Sequence, residues 1–257
     1  MTDLKKNTVL ITGASSGIGM SCAYKFAEAG AKVILIARRV DRIKALCTEL
    51  KERFQTESLA IQLDVRRRED VSKRLSNLPM DWQDVDVLIN NAGLSRGLDK
   101  LQEGSIDDWE EMIDTNVKGL LYVSRTLVPG MVSRGKGTIV NIGSIAGQEV
   151  YPRGNVYCAS KFAVDALTRG LRMDLVDTPL RVCTVDPGLV ETEFSTVRFH
   201  GDTGRAKQTY QNMIPLTPDD VADAVLFCAT RPPHVQLAQI LLLPTSQAST
   251  TLVHRAL

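Results

Sequence analysis

Apolar, β-branched residues occur in short consecutive runs that alternate with longer stretches of helical spacing along nearly the whole chain. Seven of these runs predict strands, at residues 8–11, 32–37, 59–63, 85–89, 138–142, 180–185 and 239–243. Strands separated by helices are typical of an α/β fold with a doubly wound parallel sheet. Because the apolar residues follow one another instead of alternating with polar ones, we expect helices to cover both faces of that sheet.

The helical stretches and the loops indicate one domain. The first helix should end near Gly30, a residue suited to the left-handed position just after a helix. Long helical patterns follow at about 105–134 and 155–177, and no repeat, low-complexity tract or linker divides residues 1–257. Residues 188–215 mix Gly, Thr, Arg and Pro and predict a mobile substrate loop near the strand ends, where open α/β sheets place their ligands.

Composition narrows the classes of function. The 257 residues include 31 basic and 30 acidic side chains, and the net charge of +1 argues against a nucleic-acid partner or an anionic membrane surface. The longest apolar runs, such as 33–37 and 240–243, are far shorter than the roughly 20 residues of a membrane span. The five cysteines form no C-x-x-C pair and the N-terminus lacks the apolar stretch of a signal peptide, which together predict a cytoplasmic protein without a metal site.

A glycine-rich loop lies between the first predicted strand and the first predicted helix. Its sequence, T-G-A-S-S-G-I-G, has the spacing G-x-x-x-G-x-G rather than G-x-G-x-x-G. A glycine cluster alone serves many tight turns. Bare backbone at a helix N-terminus, however, is what the pyrophosphate of a dinucleotide requires. The position of the loop therefore predicts a cofactor site that includes Gly13, Ser15, Ser16, Gly17, Ile18 and Gly19.

The end of the second predicted strand favours one form of the dinucleotide. An acidic residue that binds the ribose 2′-OH of NAD is expected about 20 residues past the loop. Ala37 stands there instead, and Arg38 and Arg39 follow it. Guanidinium groups bind phosphate in bidentate fashion, so these residues predict NADP with its 2′-phosphate. The alternative is that both arginines are solvated at a helix start, where cations oppose the helix dipole.

Tyr157 and Lys161 stand four residues apart on a predicted helix, so their side chains should point the same way. A nearby ammonium would lower the pKa of the Tyr157 phenol from its usual value of about 10. Tyr157 would then exchange a proton with a carbonyl or an alcohol. Such a pair taken alone is more often structural than catalytic.

Several separated motifs together resemble those of the short-chain dehydrogenase/reductase family over essentially the full length. They are the T-G-A-S-S-G-I-G loop, N-N-A-G at 90–93, Asn116, Ser144, Y-C-A-S-K at 157–161, and P-G at 187–188 with Thr192. The resemblance implies a single Rossmann domain with a seven-stranded parallel sheet, which binds the dinucleotide and includes the catalytic residues.

The resemblance also implies roles for individual residues. Tyr157 is the general acid/base, Ser144 hydrogen-bonds the reacting oxygen, Lys161 holds the nicotinamide ribose and lowers the tyrosine pKa, and Asn116 supports a water-mediated proton path. Further cofactor contacts are implied at Asp64, Val65, Asn91, Pro187, Gly188, Val190 and Thr192, besides Tyr157 and Lys161.

Each of the smaller roles has a structural alternative. Asn116 could cap or kink its helix, Ser144 could be a turn hydroxyl, and Asp64 could bond only its own backbone. Asn90 is more readily explained as a link between strands than as a cofactor contact.

Within the family, the chain is similar to NADP-dependent 3-hydroxy acid dehydrogenases, which act on L-serine, L-allo-threonine, 3-hydroxyisobutyrate and 3-hydroxypropionate. The similarity lies at 108–109, 112–116, 118–120, 188–195, 197–198, 216–222 and 244–247. The alternatives are the same chemistry on a bulkier apolar alcohol, ketone or diketone, reduction of a carrier-linked β-ketoacyl group, and a non-catalytic NADP-sensing scaffold. The presence of both Tyr157 and Lys161 disfavours the scaffold, and no concentrated basic run favours an acidic carrier.

A small hydroxy acid needs a cation for its carboxylate once the pocket excludes water. The candidates are Arg96, Arg153, Arg198 and Arg205, and we expect Arg198 to serve, beside Ser144 and Tyr157 at the substrate. Alternatively, Arg198 braces the loop through Glu191 or Glu193.

Related enzymes also imply a homotetramer with 222 symmetry, in which the helices at 105–134 and 155–177 pair across a two-fold axis. The second helix carries more apolar residues than one face needs, namely Phe162, Val164, Leu167, Leu171 and Leu175. The alternative is that all of these pack on the chain's own sheet.

Overall fold

The computed structural model describes residues 4–256, and the seven predicted strands pair there in one wholly parallel sheet. The strands are β1 (Thr8–Thr12), β2 (Lys32–Ala37), β3 (Ser58–Gln62), β4 (Val85–Asn90), β5 (Thr138–Ile142), β6 (Arg181–Pro187) and β7 (Gln239–Leu242). Their order is β3-β2-β1-β4-β5-β6-β7. The chain therefore winds outward in both directions from β1 and β4, which leaves a crevice at the carboxyl ends of these two strands.

Helices cover both faces of the sheet, as the unbroken apolar runs predict. Successive residues of β1 show why, because Val9 and Ile11 point into one buried cluster and Leu10 into another. The helices are α1 (Gly17–Glu28), α2 (Val40–Phe54), α3 (Arg68–Leu75), α4 (Ile106–Ile113), α5 (Leu120–Arg134), α6 (Asn155–Asp174), α7 (Phe194–Arg198), α8 (Thr203–Gln208) and α9 (Pro218–Ala229). Gly30 follows α1 with φ of +87°, the left-handed conformation expected there.

The long helix predicted at 105–134 is interrupted. A π-helical turn at Asp114–Gly119 separates α4 from α5. In this turn the Asn116 amide hydrogen-bonds both backbone groups of Leu94, accepting from its N–H at 2.8 Å and donating to its carbonyl at 2.8 Å. Turns of this type are frequent at functional sites. The pattern missed the break because its cause is a contact with a distant loop.

Residues 188–215 are not wholly irregular, because they contain the short helices α7 and α8. The two ends of this excursion lie side by side. The Glu191 N–H donates to the Leu216 carbonyl and the Leu216 N–H donates to the Leu189 carbonyl, each at 2.9 Å. The segment thus leaves the carboxyl end of β6 and returns to the same place.

Among the helices in the described part of the chain, none is both long and apolar enough to cross a membrane.

Candidate active site

A cavity of about 530 Å³ lies at the carboxyl ends of the strands. Residues that directly follow six strands, β1 to β6, contribute to its wall, and α7 contributes Phe194, Ser195, Val197 and Arg198. With two exceptions, Gly19 and Asn116, every residue that the sequence assigned to the cofactor, the catalytic centre or the substrate lies on this wall. One cavity therefore brings together motifs that are up to 185 residues apart, from Gly13 to Arg198.

The glycine loop forms one part of the wall. Gly13 and Gly17 have φ of +68° and +54°, which favour glycine over residues with a side chain. Gly19 has a different use. A Cβ there would lie 2.5 Å from the Gly13 carbonyl oxygen, so Gly19 lets α1 pack against the loop and does not itself line the cavity.

Arg38 and Arg39 lie on the wall beyond the glycine loop. The Arg39 guanidinium donates to the hydroxyls of Ser15 at 3.0 Å and Ser16 at 2.8 Å, and it pairs with Glu193 at 2.8 Å. Arg38 approaches Glu111 at 3.6 Å. Arg39 is therefore held by partners on the glycine loop, which argues against the alternative that it is only solvated at a helix start.

A third arginine belongs to this cluster and was missed by the sequence analysis. Arg42 pairs with Glu193 at 2.7 Å from the first turn of α2. The signal that could have found it is helical spacing, because Arg42 follows Arg38 and Arg39 by one helical turn.

Tyr157 and Lys161 are buried one turn apart on α6, and both side chains reach the cavity wall. The Lys161 ammonium donates to the Ile142 carbonyl at 2.9 Å and lies 5.9 Å from the centre of the Tyr157 ring. Ser144 also lies on this wall, and its hydroxyl accepts from the Ala146 N–H at 3.1 Å. Ser144 is thus both a turn hydroxyl and a group at the reaction centre.

Burial shifts both ionisable groups of the centre away from charge. It lowers the pKa of Lys161 to about 8, against the opposing effect of the Asp186 carboxylate. It raises the pKa of Tyr157 well above its usual range, although Arg198 and the Ser144 hydroxyl act in the other direction. The expectation of a lowered Tyr157 pKa is therefore wrong for this structure, because the desolvation of a buried phenolate outweighs the nearby cations.

Asn116, Asn90 and Asn91 hold backbone and strands together. The Asn116 amide binds Leu94 and also donates to the Ser160 hydroxyl at 2.9 Å, so its side chain shapes the π turn behind the wall. Asn91 is on the wall, and its amide donates to the Thr12 carbonyl at 2.9 Å. Asn90 links β4 to β5 through Asn141 at 2.9 Å.

Asp64 lies on the wall beside Val65. Its carboxylate accepts from the Arg66 backbone N–H at 3.1 Å and pairs with the Arg66 guanidinium at 2.6 Å. Burial by itself would raise the pKa of Asp64, but these hydrogen bonds hold it below its usual value. Asp64 therefore does bond locally, as the structural alternative proposed, while still facing the cavity.

Arg198 is the member of the four candidate cations that faces the cavity. Its guanidinium donates to the Ser95 hydroxyl at 2.9 Å and to the Tyr151 hydroxyl at 2.6 Å, and its carbon lies 5.2 Å from the centre of the Tyr157 ring. Arg96 is instead paired with Glu111 at 2.6 Å. The alternative, a brace between Arg198 and Glu191 or Glu193, is not seen among the described residues: Arg198 contacts Ser95 and Tyr151, and Glu193 pairs with Arg39 and Arg42.

Known proteins of one family are similar to this chain in sequence. The family model described as short chain dehydrogenase matches residues 7–202. The chain is 45% identical over 256 residues to the NADP-dependent 3-hydroxy acid dehydrogenase of Schizosaccharomyces pombe, and the match covers 99% of each protein. It is 48% identical over 250 residues to the NADP-dependent 3-hydroxy acid dehydrogenase YdfG of Salmonella typhi, covering 96% of this chain and 99% of that protein.

A solved structure is similar as well. The closed form of serine dehydrogenase complexed with NADP+ superimposes with a TM-score of 0.90 at 46% identity, covering 96% of this chain and 99% of that one. Sequence and structure thus agree over almost the entire length of the proteins compared. The chain belongs to the short chain dehydrogenase family.

Proposed function

We propose that the protein is an NADP-dependent oxidoreductase that moves a hydride between the nicotinamide and the C3 carbon of a small 3-hydroxy acid, such as serine, allo-threonine, 3-hydroxypropionate or 3-hydroxyisobutyrate. One observation carries this proposal: a single cavity has Tyr157, Lys161 and a guanidinium, Arg198, at one end and the Arg38–Arg39 pair at the other. The names of the relatives in Schizosaccharomyces pombe and Salmonella typhi support it.

The residues present fit NADP. The Ser16 hydroxyl does not cap α1 but binds Arg39, so the first N–H groups of the helix remain available to a pyrophosphate. A Cβ at Gly17 would meet the Thr192 side chain at 3.2 Å, which shows how closely the glycine loop and the segment after β6 enclose the cavity. Arg38 and Arg39 would hold the 2′-phosphate, Asp64 and Val65 the adenine, and Asn91, Lys161 and residues Pro187, Gly188, Val190 and Thr192 the nicotinamide and its ribose.

Side chains of the protein transfer the proton of the substrate hydroxyl. NADP, when bound, supplies the acceptor or donor of the hydride. Tyr157 takes the proton of the substrate hydroxyl in oxidation and returns it to the carbonyl in reduction. Ser144 donates a hydrogen bond to the same oxygen, and Lys161 stabilises the phenolate that oxidation requires. Because α6 fixes Tyr157 and Lys161 one turn apart, the two groups approach the substrate from one side.

The test of this function is a substrate panel. NADPH formation is measured with serine, allo-threonine, 3-hydroxypropionate and simple secondary alcohols, each with NADP and with NAD. We expect the small 3-hydroxy acids to be oxidised, with NADP favoured by at least about tenfold in catalytic efficiency, since each charge-assisted contact contributes roughly 1.5–3 kcal/mol. Equal use of NAD, or a preference for bulky apolar alcohols, would contradict the proposal.

The cofactor preference has its own variant. Changing both Arg38 and Arg39 to Ala removes the guanidiniums that we assign to the 2′-phosphate and should erase most of the preference for NADP. Arg68→Ala is the control, since Arg68 pairs with its neighbour Glu69 on the exposed part of α3. A double variant that kept the preference would place the 2′-phosphate elsewhere.

Arg198 is the residue to which we assign the substrate carboxylate. Arg198→Met should reduce catalytic efficiency with serine or 3-hydroxypropionate by about 10²-fold and leave an uncharged secondary alcohol nearly unaffected. Arg205→Met is the matched control, because Arg205 stands on α8 with its guanidinium carbon 4.4 Å from the centre of the Phe199 ring. Equal losses for acid and alcohol would show that Arg198 serves only to hold α7.

We also propose that residues 188–215 are the mobile substrate loop of this single domain, closing over the cavity through α7. Contacts with the rest of the chain hold this segment in place, among them those of Arg198 with Ser95 and Tyr151 and the hydrogen bond from the Leu189 N–H to the Gln247 side chain at 2.8 Å. Amide hydrogen exchange of this segment should slow when NADP and substrate bind. Unchanged exchange would contradict a closing loop.

We further propose a cytoplasmic homotetramer with 222 symmetry. The five cysteines are free thiols, which suits a reducing compartment. Of the five apolar residues singled out around α6, Val164 is buried and Leu171 and Leu175 pack into the chain's own core, while Phe162 is 42% exposed. Leu121 and Val132 on α5 and Met173 on α6 add further exposed apolar side chains. Such a surface on the two helices favours burial against another subunit.

A further inference from the structure

Glu193 joins two of the arginines at the phosphate end of the cavity. One carboxylate oxygen lies 2.8 Å from Arg39 Nη1 and the other lies 2.7 Å from Arg42 Nη1. These hydrogen bonds hold the pKa of Glu193 below its usual value, Arg42 having the largest effect. An anion supplied by the protein thus lies in the position between two guanidiniums that an anionic ligand would take.

The same residue belongs to the substrate side of the molecule. Glu193 directly precedes α7, and the next residue, Phe194, packs edge to face on the Tyr157 ring with 5.6 Å between ring centres. Arg198, at the other end of α7, lies over the same ring. The residue that pairs with the arginines is therefore joined directly, through the backbone, to the helix that covers the reaction centre.

A 2′-phosphate and the Glu193 carboxylate require the same donors. Both are anions that bind guanidinium groups through charge-assisted hydrogen bonds. Two anions within a few ångströms of each other repel, so both cannot occupy Arg39 and Arg42 at close range without loss of binding energy.

We propose that Glu193 is a specificity-determining residue of the cofactor site, which competes with the 2′-phosphate for Arg39 and Arg42 and is displaced by NADP but not by NAD. The proposal rests on the NADP-dependent function proposed above. Its consequence is that NADP preference is smaller than three arginines would give, and that the identity of the cofactor is communicated to α7.

The size of the effect follows from the exposure of the three side chains. Arg39, Arg42 and Glu193 are each about half exposed, so their pairing is weak enough to be broken by a ligand. When a site is open for only part of the time, the apparent affinity for its ligand equals the intrinsic affinity multiplied by the open fraction. Removing the carboxylate should therefore tighten binding of a 2′-phosphate by about three- to tenfold.

The experiment uses calorimetric titration of the whole protein with two nucleotides that carry no nicotinamide, 2′-AMP and 5′-AMP. Glu193→Gln should bind 2′-AMP about three- to tenfold more tightly than wild type and 5′-AMP within about twofold of wild type. Glu191→Gln is the matched control: it removes the same charge from an exposed residue two positions earlier in the same segment. It should leave both affinities nearly unchanged.

The outcomes separate this proposal from the function on which it rests. If wild type binds 2′-AMP no better than 5′-AMP, the assignment of NADP fails. If wild type prefers 2′-AMP but Glu193→Gln binds it with equal or lower affinity, the competition is refuted and Glu193 only orients the arginines. If Glu191→Gln matches Glu193→Gln, the effect is one of general charge and the specific pairing is refuted.

Discussion

Tyr157 and Lys161, one helical turn apart, are both displaced by burial toward their uncharged forms. The pKa of Tyr157 rises and that of Lys161 falls to about 8. Near pH 7 the tyrosine is therefore a neutral phenol and the lysine still carries its charge. In this state the centre is prepared to donate a proton to a carbonyl, whereas oxidation of a hydroxyl requires that the phenolate form.

Lys161 should destabilise the fold at neutral pH. Its pKa in the folded protein is below the unfolded value of 10.5, so the folded state binds fewer protons between about pH 8 and 10.5, and wild type becomes more stable as pH rises through that window. Lys161→Met lacks this dependence. The difference in unfolding free energy, variant minus wild type, should therefore shrink by on the order of 2–3 kcal/mol between pH 7 and pH 10.

Urea unfolding at the two pH values measures this difference. Lys44→Met on the exposed side of α2 is the control for replacing a lysine with methionine. A difference that did not change with pH would show that the Lys161 ammonium is not desolvated as the structure indicates.

Tyr157→Phe should remove the proton donor while keeping the ring that packs on Phe194. We expect turnover to fall by roughly 10²- to 10⁴-fold and the Kd for NADP to stay within about threefold of wild type. Turnover assays and calorimetric titration check the two parts separately, with Tyr122→Phe on α5 as control. Near-normal turnover in Tyr157→Phe would overturn the mechanism.

For single residues, sequence spacing predicted where side chains lie better than it predicted their ionisation. That Tyr157 and Lys161 reach the same cavity followed from their separation of four residues, which local helix geometry fixes. The direction of the Tyr157 pKa was predicted wrongly, because it depends on how much of the surrounding chain excludes water. The partners of Arg198 were missed for a similar reason: Ser95 and Tyr151 come from other parts of the sequence.

Among the elements, the π turn between α4 and α5 connects the core to the part of the cavity wall at Val65, which we assign to the adenine and call the adenine end. Gly119 ends this turn against Val65, which lies on the cavity wall. A Cβ at Gly119 would lie 2.6 Å from Val65 Cγ2, too close for the present packing. The turn therefore places Val65 by letting its side chain pack against the bare backbone of Gly119.

Gly119→Ala should displace Val65 and weaken NADP binding by about three- to tenfold, with turnover at saturating NADP nearly unchanged, because the nearest contacts of the added Cβ would be Val65 and Asp114, neither of them on α6. Gly130→Ala in α5 is the matched control, since its Cβ would meet only the flexible end of Arg134, at 3.3 Å. Calorimetric titration with NADP is the measurement. Normal binding by Gly119→Ala would show that the π turn does not shape the adenine end.

The strands were predicted to within two residues, and the helices less well. Strand positions follow from runs of apolar residues, which are a local property. The break at Asp114–Gly119 depends on hydrogen bonds between Asn116 and the loop after β4, and such bonds leave no periodic signal. The short helices α7 and α8 were likewise hidden in a stretch rich in residues that favour loops.

At the scale of the whole molecule, the fold could be predicted because one pattern decides it. Apolar strands alternating with helices predict a parallel sheet covered by helices, and a glycine loop directly after the first strand is typical of the doubly wound form, with its ligand crevice at that loop. The surfaces through which subunits would pack could not be predicted in this way. An apolar residue can be recognised as exposed only once the structure shows which apolar residues lie in the core.

The proposed tetramer makes a clear prediction at this scale. Phe162→Glu places a charge on the exposed side of α6 and should convert a tetramer into dimers or monomers at micromolar concentration. Met80→Glu is the matched control, because Met80 is 86% exposed and lies outside the two helices. Light scattering measures the mass. A monomeric wild type would refute the tetramer, and a tetrameric Phe162→Glu would place its interface elsewhere.

Backbone hydrogen bonds join the two ends of the segment between β6 and α9, and this affects how the segment can change in evolution. Because Leu189, Glu191 and Leu216 already hold its two ends together, a segment of different length or sequence could be grafted there at little additional entropic cost. The sheet, the glycine loop and α6 would keep their geometry under such an exchange. Substitutions and length changes in this segment can thus alter substrate specificity, while the residues that serve hydride and proton transfer stay in place.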